Sequence, residues 1–191
     1  MSDSQNAIEI LYDIFEKLQS QEEFQEAEKQ LLTFIEVSPY EVLKTCCAII
    51  GNDQSSLPVV QRSYFTSSKI LRNALSSHVT ARTFASKITE EERIKMRNFY
   101  YPGLYSENDA IRGQAGLIVA YFYKISYQFD NPEIMFKELM NILREHHKFG
   151  TIGIIQAFSE IGYFKCFPRF APNNIPEVFI FQSNEINDLL F

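Results

Sequence analysis

The sequence contains no tryptophan and little glycine, proline or cysteine. Seven glycines and seven prolines among 191 residues are too few turn-forming residues for an all-β sandwich, and they favour helices. Only three cysteines are present, and two of them, Cys46 and Cys47, are adjacent, so neither a disulfide framework nor a zinc site is expected. The sequence has no uninterrupted run of about 18 apolar residues, so no membrane-spanning helix is predicted. Residues 1–10 lack the pattern of a secretory signal.

The sequence motifs of common catalytic sites are also missing. There is no GxxxxGK[ST], GxGxxG, GxSxG or HExxH motif. His146 and His147 are adjacent near a predicted helix end, where their side chains point about 100° apart and suit the helix dipole better than a metal ion. We therefore expect a protein that is not an enzyme and that has neither a metal site nor a cofactor.

The composition is that of a folded globular protein, with 46% hydrophobic and 22% charged residues. Aromatic residues are abundant, with seventeen phenylalanines and ten tyrosines. We interpret the aromatic runs at 99–101 and 121–123 as packing between helices, because the few cations near them do not indicate a nucleic-acid site. Cys46 and Cys47 lie in an apolar stretch and are interpreted as core residues rather than reactive thiols.

Charge is distributed unevenly along the chain, whose formal net charge is −6. Residues 1–36 carry nine acidic and two basic residues, and residues 62–97 carry eight basic and three acidic residues. The acidic cluster Glu22, Glu23, Glu26 and Glu28 is typical of a helix start. The net charge argues against general nucleic-acid binding. The basic segment fits either a solvated helix surface or a surface that meets an acidic partner.

Helix-start signals recur along the chain, each consisting of a capping side chain followed by proline or glutamate. Apolar side chains at helical spacing follow each of them. The signals are Ser20 with Glu23, Ser38 with Pro39 and Glu41, Ser55 or Ser56 with Pro58, Thr89 with Glu92, the weaker Ser106–Asp109, and Asn131 with Pro132 and Glu133. Together they predict helices over 5–19, 21–36, 39–50, 57–77, 89–104, 107–128, 132–147 and 149–163.

Short connections between these helices predict antiparallel hairpins over 21–50, 57–104 and 107–147, with a fourth beginning at 149. Their spacing matches the period of HEAT and armadillo repeats, about 40–47 residues. The fold class is therefore predicted as all-α, a HEAT/armadillo-like α-solenoid of about three and a half helical hairpins that forms the N-terminal part of a longer superhelix. An irregular helical domain is the alternative.

Two segments are distinguished along the chain. Residues 1–167 hold the predicted repeats, and residues 168–191 hold a proline-containing connector and the start of a further helix. Pro168, Pro172 and Pro176 exclude a regular helix through 168–176, so an extended crossing is expected there, with a helix starting near Ser183. We also expect an exposed apolar patch near 149–163, where the last hairpin lacks its second helix.

Five short segments of the chain resemble the N-terminal repeats of the importin-β superfamily, the karyopherins, with features closest to exportin-seven-type receptors. They occur in the family's order and cover about residues 5–163. One departure is Arg72, which stands where the family usually has lysine. The segments are 25–34 (QEAEKQLLTF), 70–75 (ILRNAL), 92–99 (ERIKMRNF), 114–120 (QAGLIVA) and 153–161 (GIIQAFSEI).

This resemblance implies a nucleocytoplasmic transport receptor that binds the small GTPase Ran in its GTP form. Lys29, Arg72 and Asn73 match positions that the family uses near the GTPase, and His78 stands where a basic residue is often found. In a full-length receptor the partners would also include cargo and nuclear pore proteins, and the receptor would move between cytoplasm and nucleus. The alternative is a HEAT-repeat scaffold or adaptor protein without a GTPase partner.

Overall fold

The computed structural model describes residues 3–129 and 132–145, together with positions 153 and 157. Within these residues the protein is all-α, with no β-strand. A short 3₁₀ helix, Tyr101–Tyr105, follows α6 directly. The α-helices are α1 (Asp3–Lys17), α2 (Phe24–Val37), α3 (Pro39–Ile50), α4 (Leu57–Ala74), α5 (His78–Lys87), α6 (Glu90–Tyr100), α7 (Asp109–Phe129) and α8 (Pro132–Glu145).

Helix α5 is the element that the helix-start signals did not predict. Its cap is formed by Ser77, whose side chain accepts a hydrogen bond from the Thr80 N–H at 3.2 Å. The Thr80 hydroxyl accepts in turn from the Ser77 N–H at 3.1 Å. A capping box that closes with threonine instead of glutamate or glutamine does not match the usual sequence pattern, which explains the omission.

The other helix starts agree with the sequence to different degrees. The box at Thr89 is confirmed, since the Glu92 carboxylate accepts from the Thr89 N–H at 2.9 Å. At α7 the cap is Asn108 rather than Ser106, because Asn108 Oδ1 accepts two hydrogen bonds from the first turn. The box at Ser20 was wrong: α2 begins only after Glu23, and the Ser20 N–H instead closes the last turn of α1.

The helices are arranged in two layers. Helices α1, α3 and α6 lie side by side in one layer, and α4 lies beside α7 in the other. Helix α3 packs more extensively against α4 than against α2, and α6 packs against α7. Helix α5 packs across α4 and α7, and α8 packs against α7.

This packing corrects the helix pairing predicted from loop lengths. The main partners of α4 are α3 and α7, so the predicted hairpin over 57–104 does not form, and α5 lies within that range. The helices of the other two predicted hairpins do pack together, α2 against α3 and α7 against α8, although α3 packs more extensively against α4. The loop at 51–56, which joins α3 to α4, is longer than the corner at Val37 and Ser38, which joins α2 to α3. Helix α2 nevertheless buries only Ala27 fully, whereas α4 buries eight residues. Helix α4 therefore gives α3 more apolar surface to pack against.

A buried polar network joins α3, α4 and α6 in the core. The Tyr100 hydroxyl donates to Ser67 Oγ at 2.8 Å and accepts from the Cys47 thiol at 3.2 Å. Ser67 in turn donates to the Ser63 carbonyl oxygen at 2.7 Å. The Tyr100 ring also lies 6.0 Å from the ring of Phe122 on α7, which confirms that these aromatic residues pack between helices.

Several predictions lie outside the described residues. They concern the cap at Asn131, the pair His146 and His147, most of the helix at 149–163 with its apolar patch, and the whole of 168–191. Positions 153 and 157 are helical and buried. A β-carbon on Gly153 would clash with the carbonyl of Leu104, so the backbone at 153 lies directly against the 3₁₀ helix.

Candidate functional site: an exposed basic region on α4 and α5

Helices α4 and α5 carry cations and no carboxylates. The sequence contains no aspartate or glutamate between Asp53 and Glu90. Four of the five cations in this segment are exposed and Arg62 is half-buried. We call these side chains the basic region, and they are Arg62, Lys69 and Arg72 on α4, with Arg82 and Lys87 on α5.

None of the five side chains of the basic region forms an ion pair within the described part of the chain. Elsewhere cations do find carboxylates: Lys17 lies 2.6 Å from Asp13, and Lys95 lies 2.7 Å from Glu91. For four of the five cations the difference follows from the sequence, because no acid lies three or four residues away; Lys87 alone has such neighbours, Glu90 and Glu91. The basic region therefore presents unneutralised positive charge to solvent.

One side of α4 combines this charge with an exposed aromatic ring. Arg62, Phe65, Lys69 and Arg72 are spaced by three, four and three residues, which places them on one side of the helix. The Phe65 side chain is 51% exposed, while its neighbour Tyr64 is buried in the core. An exposed aromatic residue between cations is typical of a protein-binding surface, where the ring supplies apolar contact and the cations supply orientation.

Three of the four predicted site residues lie at the junction of α4 and α5. Arg72 and Asn73 are exposed in the last turn of α4, and His78 is exposed as the first residue of α5. The ring of His78 lies 6.3 Å from that of Phe129 at the end of α7. The helix predicted over 57–77 would leave His78 just beyond its end, but His78 is instead the first residue of α5.

Lys29 lies apart from this junction, in the middle of α2. Its side chain is exposed and has no ion-pair partner among the described residues. Helix α2 packs against α1 and α3, and its own exposed surface is largely acidic, with Glu26 and Glu28 beside Lys29 in sequence. The structure therefore brings Arg72, Asn73 and His78 together and leaves Lys29 on a separate helix.

The two cysteines of α3 lie in the core. Cys46 and Cys47 are buried, and burial raises the pKa of both thiols, that of Cys47 to about 12. The prediction that they are core residues is confirmed. In the described ranges, no three His, Cys, Asp or Glu side chains are grouped so that they could hold a metal ion. None of the helices described is both long and apolar enough to cross a membrane.

Sequence reasoning identified the basic segment but missed most of the residues that form its surface. Arg62, Phe65 and Lys69 were not chosen individually, although their helical spacing with Arg72 was readable in the sequence. Arg82 and Lys87 could not be placed without α5. Two features of the sequence could have identified them. One is the absence of acidic residues between Asp53 and Glu90, and the other is the spacing of Arg62, Phe65, Lys69 and Arg72 along one side of a predicted helix.

The chain was compared with protein-family models, curated proteins and solved structures. No protein-family model, no curated protein and no solved structure matches the chain. The class that the structure itself defines is an all-helical protein with a layered core and an exposed basic region.

Proposed function

We propose that this chain is the N-terminal part of a nuclear transport receptor of the importin-β superfamily and that it binds Ran in its GTP form. The proposal is supported by the five ordered sequence segments and by the layered packing of successive helix pairs. Stacked helical hairpins of the HEAT type produce this kind of two-layered packing. In this proposal α1–α2, α3–α4 and α6–α7 are three repeats, and α8 begins a fourth.

The observation that carries the proposal is the unpaired charge of the basic region. Its cations do not have to break an ion pair before they contact a partner, so complementarity with an acidic surface is not offset by a lost internal interaction. Acidic groups beside the switch loops of a GTPase are suitable partners, and those loops are ordered only while the γ-phosphate is present. Recognition of such a surface would depend on the nucleotide state.

In a complete receptor, the repeats that follow would hold cargo and contact nuclear pore proteins, in import or export. Such a receptor would move between the cytoplasm and the nucleus. Cargo binding and movement between the two compartments are both implied by the proposed family, so they depend on the test of GTPase binding.

Titration calorimetry with Ran loaded with GTP or with GDP tests the proposal. We expect binding in the GTP form and none, or much weaker binding, in the GDP form. Lys29→Glu combined with Arg72→Glu should weaken binding of the GTP form, by roughly 2–5 kcal/mol if the contacts are desolvated and by less at the rim of the interface. Lys137→Glu is the control, because Lys137 is an exposed lysine on α8, a helix that carries none of the site residues.

Two results would contradict the proposal. Equal affinity for the two nucleotide states would exclude recognition of the switch loops. Absence of binding by folded wild-type protein would favour the alternative of a helical scaffold or adaptor without a GTPase partner.

A further inference from the structure

The chain carries a second charged surface, opposite in sign to the basic region. Helices α1 and α2 and the turn between them expose carboxylates that form neither an ion pair nor a side-chain hydrogen bond among the described residues. Residues 1–36, which include this surface, have a net charge of −7 from nine acids and two bases. We call these carboxylates the acidic surface, and they are Glu9, Glu16, Glu22, Glu23, Glu28 and Glu36.

Both charged surfaces also expose large apolar side chains. On α2, Leu32 is 39% exposed and lies four residues from both Glu28 and Glu36, which places it on their side of the helix. On the basic region, Phe65 is 51% and Val79 74% exposed. Charge alone orients two proteins, whereas burial of apolar surface provides contact energy at short range. Each surface therefore has both components of a protein interface.

Helix α2 is well suited to receive a partner because it contributes little to the core. Ala27 is its one buried residue, and among the described helices α2 packs mainly against α1 and α3. Most of its other side chains are exposed, including Leu32.

We propose that the acidic surface of one copy of this chain docks on the basic region of a second copy. The occupant is a second copy because the same molecule presents both halves of a charge-complementary pair, each with exposed apolar residues. Since every copy has a net charge of −6, the overall repulsion opposes association and only the local complementarity favours it. The result is reversible, salt-sensitive self-association.

This inference does not rest on the proposed function, but it involves one of the same surfaces. A GTPase that binds the basic region would compete with a second copy and shift the protein to the monomer. The protein could bind the GTPase without self-associating, or self-associate without binding the GTPase. The two proposals can therefore be tested separately.

Sedimentation velocity over a range of protein concentrations tests the self-association. The wild-type protein should associate at about 0.1 M salt and dissociate at about 1 M, where the Debye length falls from about 10 Å to about 3 Å. Glu28→Lys with Glu36→Lys should weaken association by about tenfold, since two attractions become repulsions. Lys69→Glu with Arg82→Glu should do the same from the other surface, and Lys137→Glu should associate as the wild type does.

Mixing the two double variants provides the decisive arm of the experiment. Each variant retains one native surface, so an equimolar mixture should form a 1:1 heterodimer at concentrations where each variant alone is mainly monomeric. Formation of that heterodimer also shows that both variants are folded. A wild-type protein that stays monomeric at low salt, association that salt does not weaken, or a mixture that stays monomeric would each overturn the proposal.

Discussion

At the scale of single residues, Tyr100 connects the two layers of the protein. Its ring is fully buried, and its hydroxyl takes part in hydrogen bonds with Cys47 on α3 and Ser67 on α4. The sequence predicted the aromatic packing but not this network. A serine within a helix is usually exposed, so the sequence alone does not show that such a serine is buried. Only tertiary packing shows that Ser63 and Ser67 face the core of the protein.

We predict that Tyr100→Phe lowers the free energy of unfolding by about 1–2 kcal/mol, because the Cys47 thiol and the Ser67 hydroxyl each lose a buried partner. Denaturation by urea measures the change. Tyr12→Phe is the control, since the Tyr12 hydroxyl accepts from the exposed Ser56 N–H, which water can satisfy instead. Equal losses in the two variants would contradict the role of the buried network.

The raised thiol pKa values predict a loss of stability in alkaline solution. Burial raises the pKa of Cys47 from 9.0 to about 12 and raises that of Cys46 as well, so the unfolded chain ionises first as the pH increases. The stability from these groups is complete below about pH 9 and decreases above it, by about 1.4 kcal/mol per pH unit for each thiol. Urea denaturation from pH 7 to 11 should show this decrease, and Cys46→Ala with Cys47→Ala should make it shallower. An identical slope in the variant would refute the explanation.

At the scale of helices, the cap side chains show what the sequence can and cannot predict. Proline and glutamate signals correctly predicted the starts of α3, α4, α6 and α8. The start of α2 was misplaced because the short connection to α1 uses the Ser20 N–H to close the preceding helix. Arg93 provides a further example, since its guanidinium donates to the carbonyl oxygens of Ala85 and Ile88 at the end of α5. This contact depends on how α6 turns back beside the end of α5, which the sequence alone does not show.

Two serine caps provide a matched prediction. The Ser77 side chain accepts a hydrogen bond from Thr80, whereas the Ser38 side chain makes no capping hydrogen bond at the start of α3. Ser77→Ala should therefore lower the free energy of unfolding by about 1 kcal/mol, and Ser38→Ala by a few tenths at most. Thermal or urea denaturation of both variants measures the difference. A larger loss for Ser38→Ala would contradict the structure of these helix ends.

At the scale of the whole molecule, loop length was an incomplete guide to helix pairing. The short corner between α2 and α3 does join packed helices, but α3 packs more extensively against α4. Which helices share the most surface depends on the size and position of side chains on both sides of each helix. The basic character of residues 62–97 was easier to predict, since it follows from the count of charged residues whatever the fold.

A clamp between α6 and α8 gives a prediction at this scale. Arg97 is buried, and its guanidinium lies 2.9 Å from Glu138 Oε2, which also accepts from the Tyr101 hydroxyl at 2.7 Å. Glu138→Ala leaves the arginine charge buried without its carboxylate and should destabilise the protein by about 3 kcal/mol or less, since the Glu138 side chain is 33% exposed. Adding Arg97→Met should restore much of the loss. Urea denaturation of the single and double variants measures both effects, and no recovery in the double variant would contradict an electrostatic clamp.

We propose that the basic region of α4 and α5 binds the GTP-bound GTPase. Hydrogen exchange of the wild-type protein, measured by mass spectrometry with and without Ran-GTP, is the direct test of this binding. The prediction is slower exchange in segments from residues 62–87, with no change on addition of Ran-GDP. Binding of Ran-GTP that leaves exchange in α4 and α5 unchanged would contradict it.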